Sequence, residues 1–342
     1  MQLSTQLNYA GGFKQAVDQV TELEKVGLDI AWVAEAYSFD AVSAMGYLAA
    51  KTTTVKLAAG ILPIYSRTPT LIAMTAAGID ALSDGRCILG LGASGPQVIE
   101  GFHGVVYDRP LGRTREIIDI CRQTWRRERV EHVGKSYQIP VPAGQGTGLG
   151  KPLKLINHPV RSEIPIYVAS LGPKNVEMTA ELADGWLPLF YLPEKAKQVW
   201  GDDLAAGEAK RSAELGPLEI VAGGLLSIGE GADAVREFAR PMAALYIGGM
   251  GAKGKNFYND LVKRYGFEAE AEAIQELYLE GKKDEAAKLV PDELLEATTL
   301  CGSEGYVKER LAAYKESGVT VLNVTPIGPD PVKLLEQVKG WM

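Results

Sequence analysis

Residues 55–94 read VKLAAGILPIYSRTPTLIAMTAAGIDALSDGRCILGLGAS, and this stretch decides the fold. The apolar run Val55–Leu62 is typical of a parallel strand that is buried on both faces. Thr70–Leu82 is rich in Ala, Leu, Ile and Met and predicts a helix, with Pro69 suited to its first turn. Cys87–Gly92 is the next buried strand. Both strands end in glycine-containing turns, where ligands bind in α/β folds.

The same alternation of strand and helix runs along the whole chain. Strands are predicted at Gln2–Tyr9, Leu28–Ala34, Val55–Leu62, Cys87–Gly92, Ile164–Ala169, Asp184–Pro188, Leu218–Ile228 and Val319–Val324. Helices are predicted at Phe13–Val26, Asp40–Lys51, Thr70–Leu82, Gly112–Arg127, Lys174–Ala183, Pro193–Leu215, Ser303–Ser317 and Asp330–Trp341. This pattern predicts an α/β fold, a (β/α)8 TIM barrel. We expect one domain over residues 1–342, with insertions at about 95–163 after the fourth strand and 230–300 after the seventh.

Composition excludes several functions. The chain of 342 residues is 46% hydrophobic and 23% charged, and its net charge of -7 argues against a nucleic-acid partner. No apolar run is long enough to predict a membrane span, and the N-terminal residues do not resemble a signal peptide. Three scattered cysteines and three scattered histidines predict neither disulfides nor a metal site. We expect a cytoplasmic protein.

Active sites of TIM barrels lie where the strands end. The ends of the first four predicted strands supply Asn8, Glu35, Gly60-Ile61 and the turn Gly92-Ala93-Ser94-Gly95. The glycine turn either lets a flat ligand approach the backbone closely or is only a tight turn. After the fifth strand, Ser170-Leu171-Gly172-Pro173 leads into a helix, whose free N–H groups suit a phosphate. A simple helix start is the alternative.

Two side chains near the predicted mouth have chemical potential. Glu35 ends an otherwise apolar strand, so its carboxylate is either an acid-base or cofactor-binding group or a solvated charge at the rim. His103 lies in the loop that follows the fourth strand, where a catalytic role and an ordinary hydrogen-bonded role are equally open. The chain lacks a P-loop, a G-x-S-x-G motif and a complete G-x-G-x-x-G motif.

Five segments together resemble the luciferase-like monooxygenase superfamily, in its branch that depends on the deazaflavin coenzyme F420. They are Ala59-Gly60-Ile61-Leu62-Pro63 with Arg67-Thr68-Pro69, Leu82-Ser83-Asp84-Gly85-Arg86 before Leu89-Gly90-Leu91-Gly92, Ser94-Gly95-Pro96-Gln97, Ala183-Asp184-Gly185-Trp186, and Gly318-Val319. The resemblance extends from the first predicted strand to the last. It implies the barrel, an oxidoreductase activity and a homodimer or higher homo-oligomer.

The resemblance also implies roles for particular residues. Gly60-Ile61 corresponds to a non-proline cis peptide bond behind the deazaflavin ring, Gly92, Ala93 and Ser94 line the ring, and Ala169, Ser170, Leu171, Gly172 and Pro173 hold the phosphate end. Glu35 is the first candidate for a cofactor-binding or acid-base role, followed by Gln97 and His103. Asn8, Tyr65 and Glu100 are candidates for substrate binding. Lys135, Lys151, Lys154, Arg161 and Lys174 are candidate cations for the anionic tail of the cofactor, and a solvated surface is the alternative for each.

Two departures from the family pattern bear on the reaction. Ala36 stands where several relatives have a histidine that acts on a substrate hydroxyl, and Gly95-Pro96 stands where they have a glutamate. The sequence therefore favours reduction of a C=C, C=N or C=O bond of a small-molecule substrate over oxidation of a hydroxyl. An FMN-dependent two-component monooxygenase and a non-catalytic protein that binds a flavin or deazaflavin are the alternatives.

Overall fold

A computed structural model describes residues 1–8 and 12–342 of the chain. Its strands are β1 Gln2–Gln6, β2 Ile30–Val33, β3 Lys56–Ala59, β4 Leu62–Pro63, β5 Cys87–Gly92, β6 His132–Val133, β7 Gln138–Ile139, β8 Ile166–Val168, β9 Gly185–Trp186, β10 Glu219–Ile228, β11 Leu300–Gly302 and β12 Val321–Pro326. The predicted continuation of the first strand to Tyr9 lies outside the described residues.

The helices are α1 Phe13–Lys25, α2 Ala41–Lys51, α3 Pro69–Leu82, α4 Pro96–Gly101, α5 Pro110–Trp125, α6 Pro173–Leu182, α7 Pro193–Glu208, α8 Ala232–Glu237, α9 Ala239–Ala244, α10 Phe257–Arg264, α11 Glu268–Leu279, α12 Lys283–Lys288, α13 Asp292–Ala297, α14 Glu304–Glu316 and α15 Pro331–Trp341. A 3-10 turn covers Ala213–Leu215, and a π-helix covers Leu245–Gly249. Within the described residues, no helix is both long enough and apolar enough to cross a membrane.

The sheet closes into a barrel of parallel strands, which confirms the predicted fold. Its order is β1, β2, β3, β5, β8, β9, β10, β12 and back to β1, and the pairing of β9 with β10 completes the ring. β4 continues the third barrel strand and pairs with β5, and β11 pairs with the outer side of β10. Because all the barrel strands are parallel, their carboxyl ends meet at one rim of the barrel.

Most predicted elements agree with the structure to within a few residues, and the differences have local causes. The predicted third strand is interrupted at Gly60-Ile61, after the backbone N–H of Gly60 has donated the last hydrogen bond of the ladder to Val33 O at 2.7 Å. The predicted helix Pro193–Leu215 ends at Glu208, and Arg211 then donates to the carbonyl oxygens of Gly216 and Ala183. Helix α4 and the hairpin of β6 and β7 lie in the first predicted insertion and were not predicted.

Candidate active site

Alternate residues of each strand point into the barrel. The buried hydrophobic residues form two separate clusters, and these show which residues point inward. Leu3, Ala31, Leu57, Leu89 and Leu322 belong to the large core between sheet and helices. A separate small core fills the barrel itself, formed by Ile30, Trp32, Ala58, Ile88, Tyr167, Val221 and Val321. Residues two positions farther along each strand therefore line the space at the carboxyl rim.

The third and fourth barrel strands fit together through a non-proline cis peptide bond and two glycines. The Gly60-Ile61 bond is cis, which confirms the prediction. A Cβ atom at Gly90 would lie only 1.7 Å from the carbonyl oxygen of Ala59. At Gly92, a Cβ atom would lie 2.7 Å from Cγ1 of Ile61. Gly90 and Gly92 thus leave room for the Gly60-Ile61 segment, which packs directly against them. Together the two segments form one wall of the barrel mouth, which we call the smooth wall.

The chain beyond β5 continues this wall. Ala93 and Ser94 are half-buried, and Ser94 has a left-handed backbone with φ 58°. Tyr107 donates its hydroxyl to the carbonyl oxygen of Ser94 at 3.4 Å, which ties the turn to the following loop. Tyr65 packs on Tyr107 with ring centroids 5.1 Å apart.

Tyr65, a predicted substrate-binding residue, is only 8% exposed. Its hydroxyl donates to Asp108 O at 2.7 Å, and burial raises the pKa of this phenol above its ordinary value. This hydrogen bond ties Tyr65 to the segment just before α5. Asn8 and Glu100, the other two predicted substrate-binding residues, are exposed, and Glu100 accepts a hydrogen bond from Tyr107 N at 3.1 Å.

Glu35 is held by a bidentate ion pair. Arg67 donates Nη1 to Oε1 of Glu35 at 2.5 Å and Nη2 to Oε2 at 2.9 Å, and the backbone N–H of Ala41 donates to Oε2 at 2.8 Å. The two side chains are 8% and 14% exposed. The hydrogen bonds with Glu35 raise the pKa of Arg67, so its charge is permanent. The pair joins the loops that follow the second and third barrel strands, and Glu35 stays a candidate for a cofactor-binding or acid-base role.

The other two predicted catalytic residues lie on the segment that follows the glycine turn. Gln97 is exposed on α4, whose first residue is Pro96. His103 is partly buried and packs edge-on against Phe102, with ring centroids 5.2 Å apart. Its Nε2 atom is buried and has no hydrogen-bond partner among the residues that the structure describes. Both residues stay candidates for contact with a substrate.

The segment Ala169–Pro173 is fixed from behind by two indole groups. Trp186 donates Nε1 to Ser170 O at 2.9 Å, and Trp200 donates Nε1 to Leu171 O at 3.1 Å. The Ser170 hydroxyl bonds to that of Thr179 at 2.8 Å, so it faces helix α6. Gly172 is the N-cap of α6, no side chain caps the helix, and the space around Gly172 is open. This helix start therefore suits an anion.

One predicted cation lies at the wrong end of the barrel. Arg161 donates Nε to the buried Asp80 at 3.1 Å and Nη2 to Cys87 O at 2.7 Å. Cys87 is the first residue of β5, so this ion pair lies at the amino end of the strands, away from the mouth. Arg161 is thus excluded as a partner for a cofactor tail. Lys174 pairs with Glu177 at 2.8 Å, and Lys135, Lys151 and Lys154 are exposed.

The structure shows a polar inner wall that was not predicted from the sequence. Gln6 on β1, with Asn323 and Thr325 on β12, occupies inward positions and is partly exposed, whereas their outward neighbours Thr5, Leu322 and Val324 are buried. The Oε1 atom of Gln6 lies 3.9 Å from the position of a Cβ on Gly60. The alternation of side chains along each strand could have placed these residues on one face. Which face points into the barrel follows only from the orientation of each strand in the closed barrel.

The mouth therefore has a smooth backbone wall, a polar wall and an anion-binding helix start at one rim. In the part of the chain that the structure describes, no group of three or more His, Cys, Asp and Glu side chains could hold a metal ion. Such an arrangement suits a flat organic ligand with an anionic tail.

Comparison with known proteins agrees with this geometry. The luciferase-like monooxygenase family model matches residues 1–321. A Mycobacterium tuberculosis protein named as a coenzyme F420-dependent oxidoreductase is 40% identical over 339 residues, 97% of this chain and 97% of that protein. The 5,10-methylenetetrahydromethanopterin reductase of Archaeoglobus fulgidus is 30% identical over 92% of this chain and 90% of its own length.

A solved structure shows the same architecture. The coenzyme F420-dependent tetrahydromethanopterin reductase of Methanopyrus kandleri superposes with a TM-score of 0.78, 24% identity, and coverage of 98% of this chain and 96% of that chain. The family model, the two relatives and the barrel geometry lead to one conclusion: the chain belongs to the luciferase-like monooxygenase family.

Proposed function

We propose that the protein is a coenzyme F420-dependent oxidoreductase that transfers a hydride between the deazaflavin and a small organic substrate. The close fit of the Gly60-Ile61 segment against Gly90 and Gly92 is the observation that carries the proposal, because it leaves three positions at the barrel mouth, Gly60, Gly90 and Gly92, without a side chain. The names of the relatives, a coenzyme F420-dependent oxidoreductase and a methylenetetrahydromethanopterin reductase, support the choice of cofactor.

The residues present fit such a cofactor. Gly60, Ile61, Gly92, Ala93 and Ser94 would lie against its ring system, and the segment Ala169–Pro173 would hold its phosphate with the uncapped start of α6. When bound, the deazaflavin supplies the hydride chemistry. The protein positions the two reactants and excludes water from the space between them.

The Glu35–Arg67 pair serves this positioning. It fixes the loops after β2 and β4 against the start of α2. We propose reduction of a C=C, C=N or C=O bond as the direction, because Ala36 and Gly95 offer no group that could take a proton from a hydroxyl.

Cofactor binding is the decisive experiment. Purified protein without cofactor is titrated with oxidised F420 and, separately, with FMN, and binding is followed by ligand fluorescence. We expect saturable F420 binding and much weaker FMN binding. Tight FMN binding without F420 binding would reverse the assignment in favour of a flavin-dependent monooxygenase. F420 binding without turnover of any enone, imine or aldehyde would instead indicate a non-catalytic binding protein.

We also propose that the protein forms a homo-oligomer. Leu71, Met74 and Leu82 of α3 are 45%, 52% and 67% exposed and, with Gly78, follow one helical stripe. A stripe of apolar side chains in contact with water is typical of a surface that another chain covers. A second copy of the chain, packed through α3 on both sides, would bury this stripe.

A further inference from the structure

We propose that Gln6, Asn323 and Thr325 form a substrate-binding wall that recognises a neutral carbonyl or amide group. This inference rests on the proposed function and adds the chemical class of the substrate to it. The three residues lie on neighbouring strands, since β1 pairs with β12 with Ser4 opposite Asn323. They face the interior of the barrel, and Oε1 of Gln6 lies 3.9 Å from the position that a Cβ on Gly60 would take.

The side chains of this wall are partly accessible to solvent. Along β12 the burial alternates, with Asn323 and Thr325 partly exposed and Leu322 and Val324 buried. On the adjacent β10, the inward Gly223 and Leu225 are partly exposed as well. The exposed side of β12 faces the interior of the barrel, because Val321, two residues before Asn323, belongs to the small core inside it.

Deeper in the barrel the polar groups satisfy one another. Lys56 donates to Oε1 of Gln2 at 2.8 Å, Gln2 donates to Glu219 at 2.9 Å, and the Tyr167 hydroxyl donates to the other oxygen of Glu219. This network closes the floor. The exception is Trp32 in the small core, whose Nε1 atom is buried and has no hydrogen-bond partner among the described residues.

The upper layer differs from the floor. Ser4 donates to Oδ1 of Asn323 at 3.1 Å, which leaves the Asn323 amide N–H groups directed away from that bond. Among the described residues, the side chains of Gln6 and Thr325 make no hydrogen bond. An inward amide and hydroxyl that are accessible but unpaired within the protein offer both donors and an acceptor to a bound molecule.

The absence of charge on Gln6, Asn323 and Thr325 indicates which class of substrate group this wall would bind. The wall consists of two amides and one hydroxyl, and Arg67, the cation of the Glu35 pair at the mouth, has its charge compensated. An anionic substrate group would lose its water against neutral partners, which is unfavourable. A neutral carbonyl or amide would exchange its water for the donors of this wall at little cost.

The test uses fragment binding without turnover. Protein loaded with oxidised F420 is titrated with cyclohexenone and with cyclohexenecarboxylate, and binding is measured by saturation-transfer NMR. We expect the neutral enone to bind and the carboxylate not to bind. Gln6→Met and Thr325→Val should each weaken enone binding about five-fold, the loss of about one hydrogen bond. The matched control is Thr5→Val, which removes a hydroxyl that faces outward to Val324 O and should leave enone binding unchanged.

Absence of enone binding, tighter binding of the carboxylate, or unchanged affinity in both inward variants would overturn the proposal. A titration with F420 distinguishes failure of this proposal from failure of the proposed function. The enone titrations are repeated with protein to which no F420 has been added. If wild-type protein does not bind F420 but this enone binding responds to the inward variants as expected, the proposed function fails and the wall stands. If Gln6→Met and Thr325→Val lose F420 affinity, the wall belongs to the cofactor site and the proposal is wrong.

Discussion

Gly90 and Gly92 show how two residues without side chains set the shape of the candidate site. Each lies opposite the cis segment, and each would overlap that segment if it carried a Cβ atom. The requirement is one of space, since neither glycine has a left-handed backbone. The smooth wall is therefore a property of a pair of strands and depends on both.

Gly90→Ala tests this fit. Its Cβ would lie 1.7 Å from Ala59 O, a backbone atom that cannot move away without displacing the cis segment. We expect the free energy of unfolding to fall by about 3 kcal/mol, the upper range for overpacking, with loss of cofactor binding. The matched control is Gly46→Ala in α2, where the new Cβ meets nothing within 4 Å, and which should stabilise the protein by ~0.5–1 kcal/mol. Equal urea-unfolding curves for the two variants would contradict the prediction.

The Glu35–Arg67 pair offers a second test at this scale. Glu35→Ala leaves a mostly buried guanidinium without its carboxylate, so we expect the free energy of unfolding to fall by about 3 kcal/mol. Replacing both residues, as Glu35→Ala with Arg67→Met, should restore much of this loss, because no unpaired charge remains. Chemical unfolding of Glu35→Ala, Arg67→Met and the double variant measures the coupling. Additive losses would show that the two side chains do not act as a pair.

At the scale of elements, the end of α1 is joined to the start of β3 by one carboxylate. Glu24 Oε1 accepts hydrogen bonds from the backbone N–H groups of Thr53, Thr54 and Val55 at 2.9, 2.6 and 2.8 Å. Burial acts to raise the pKa of Glu24, but these hydrogen bonds together outweigh burial and hold the pKa below its ordinary value. The junction therefore depends on the ionised carboxylate.

This dependence predicts a pH effect. Because the pKa of Glu24 is lower in the folded than in the unfolded protein, its stabilisation is complete above the unfolded pKa of about 4.3 and is lost as pH falls through the folded pKa. Glu24→Gln should therefore reduce the free energy of unfolding by about 1–2 kcal/mol at pH 7. The difference between wild type and variant should shrink at pH values below about 4. A difference that is independent of pH would show that the carboxylate charge is not involved.

At the scale of the whole molecule, the exposed stripe of α3 predicts the state of assembly. We expect wild-type protein to migrate as a dimer or larger species in size-exclusion chromatography with light scattering. Leu71→Lys combined with Met74→Glu places charges on the stripe and should shift the protein to monomers. Leu279→Lys, at an exposed position of α11 that is 53% accessible, is the control and should leave the mass unchanged. A monomeric wild type would refute the proposed oligomer.

The barrel itself was predictable because its strands are short apolar runs separated by helices of amphipathic or apolar character. The burial of these runs on both faces is required by a parallel sheet with helices outside and side chains inside. Helix boundaries were close where a local signal marked them, such as Asp40, whose side chain accepts from Ser43 N at 2.8 Å at the start of α2. The predicted Pro193–Leu215 helix was too long because long-range contacts of Arg211 end it early.

By itself, the sequence determined the order of strands and helices, the barrel, and the two glycine-rich segments of the mouth, since local propensity and periodicity encode these features. Only the tertiary structure decided what the polar residues do. In the structure, Glu35 forms an ion pair with Arg67. Arg161 lies at the amino end of the barrel strands, paired with Asp80. The residues on one inner wall are Gln6, Asn323 and Thr325. Such contacts join residues that are far apart in the chain, and they exist only after the ring of strands has closed.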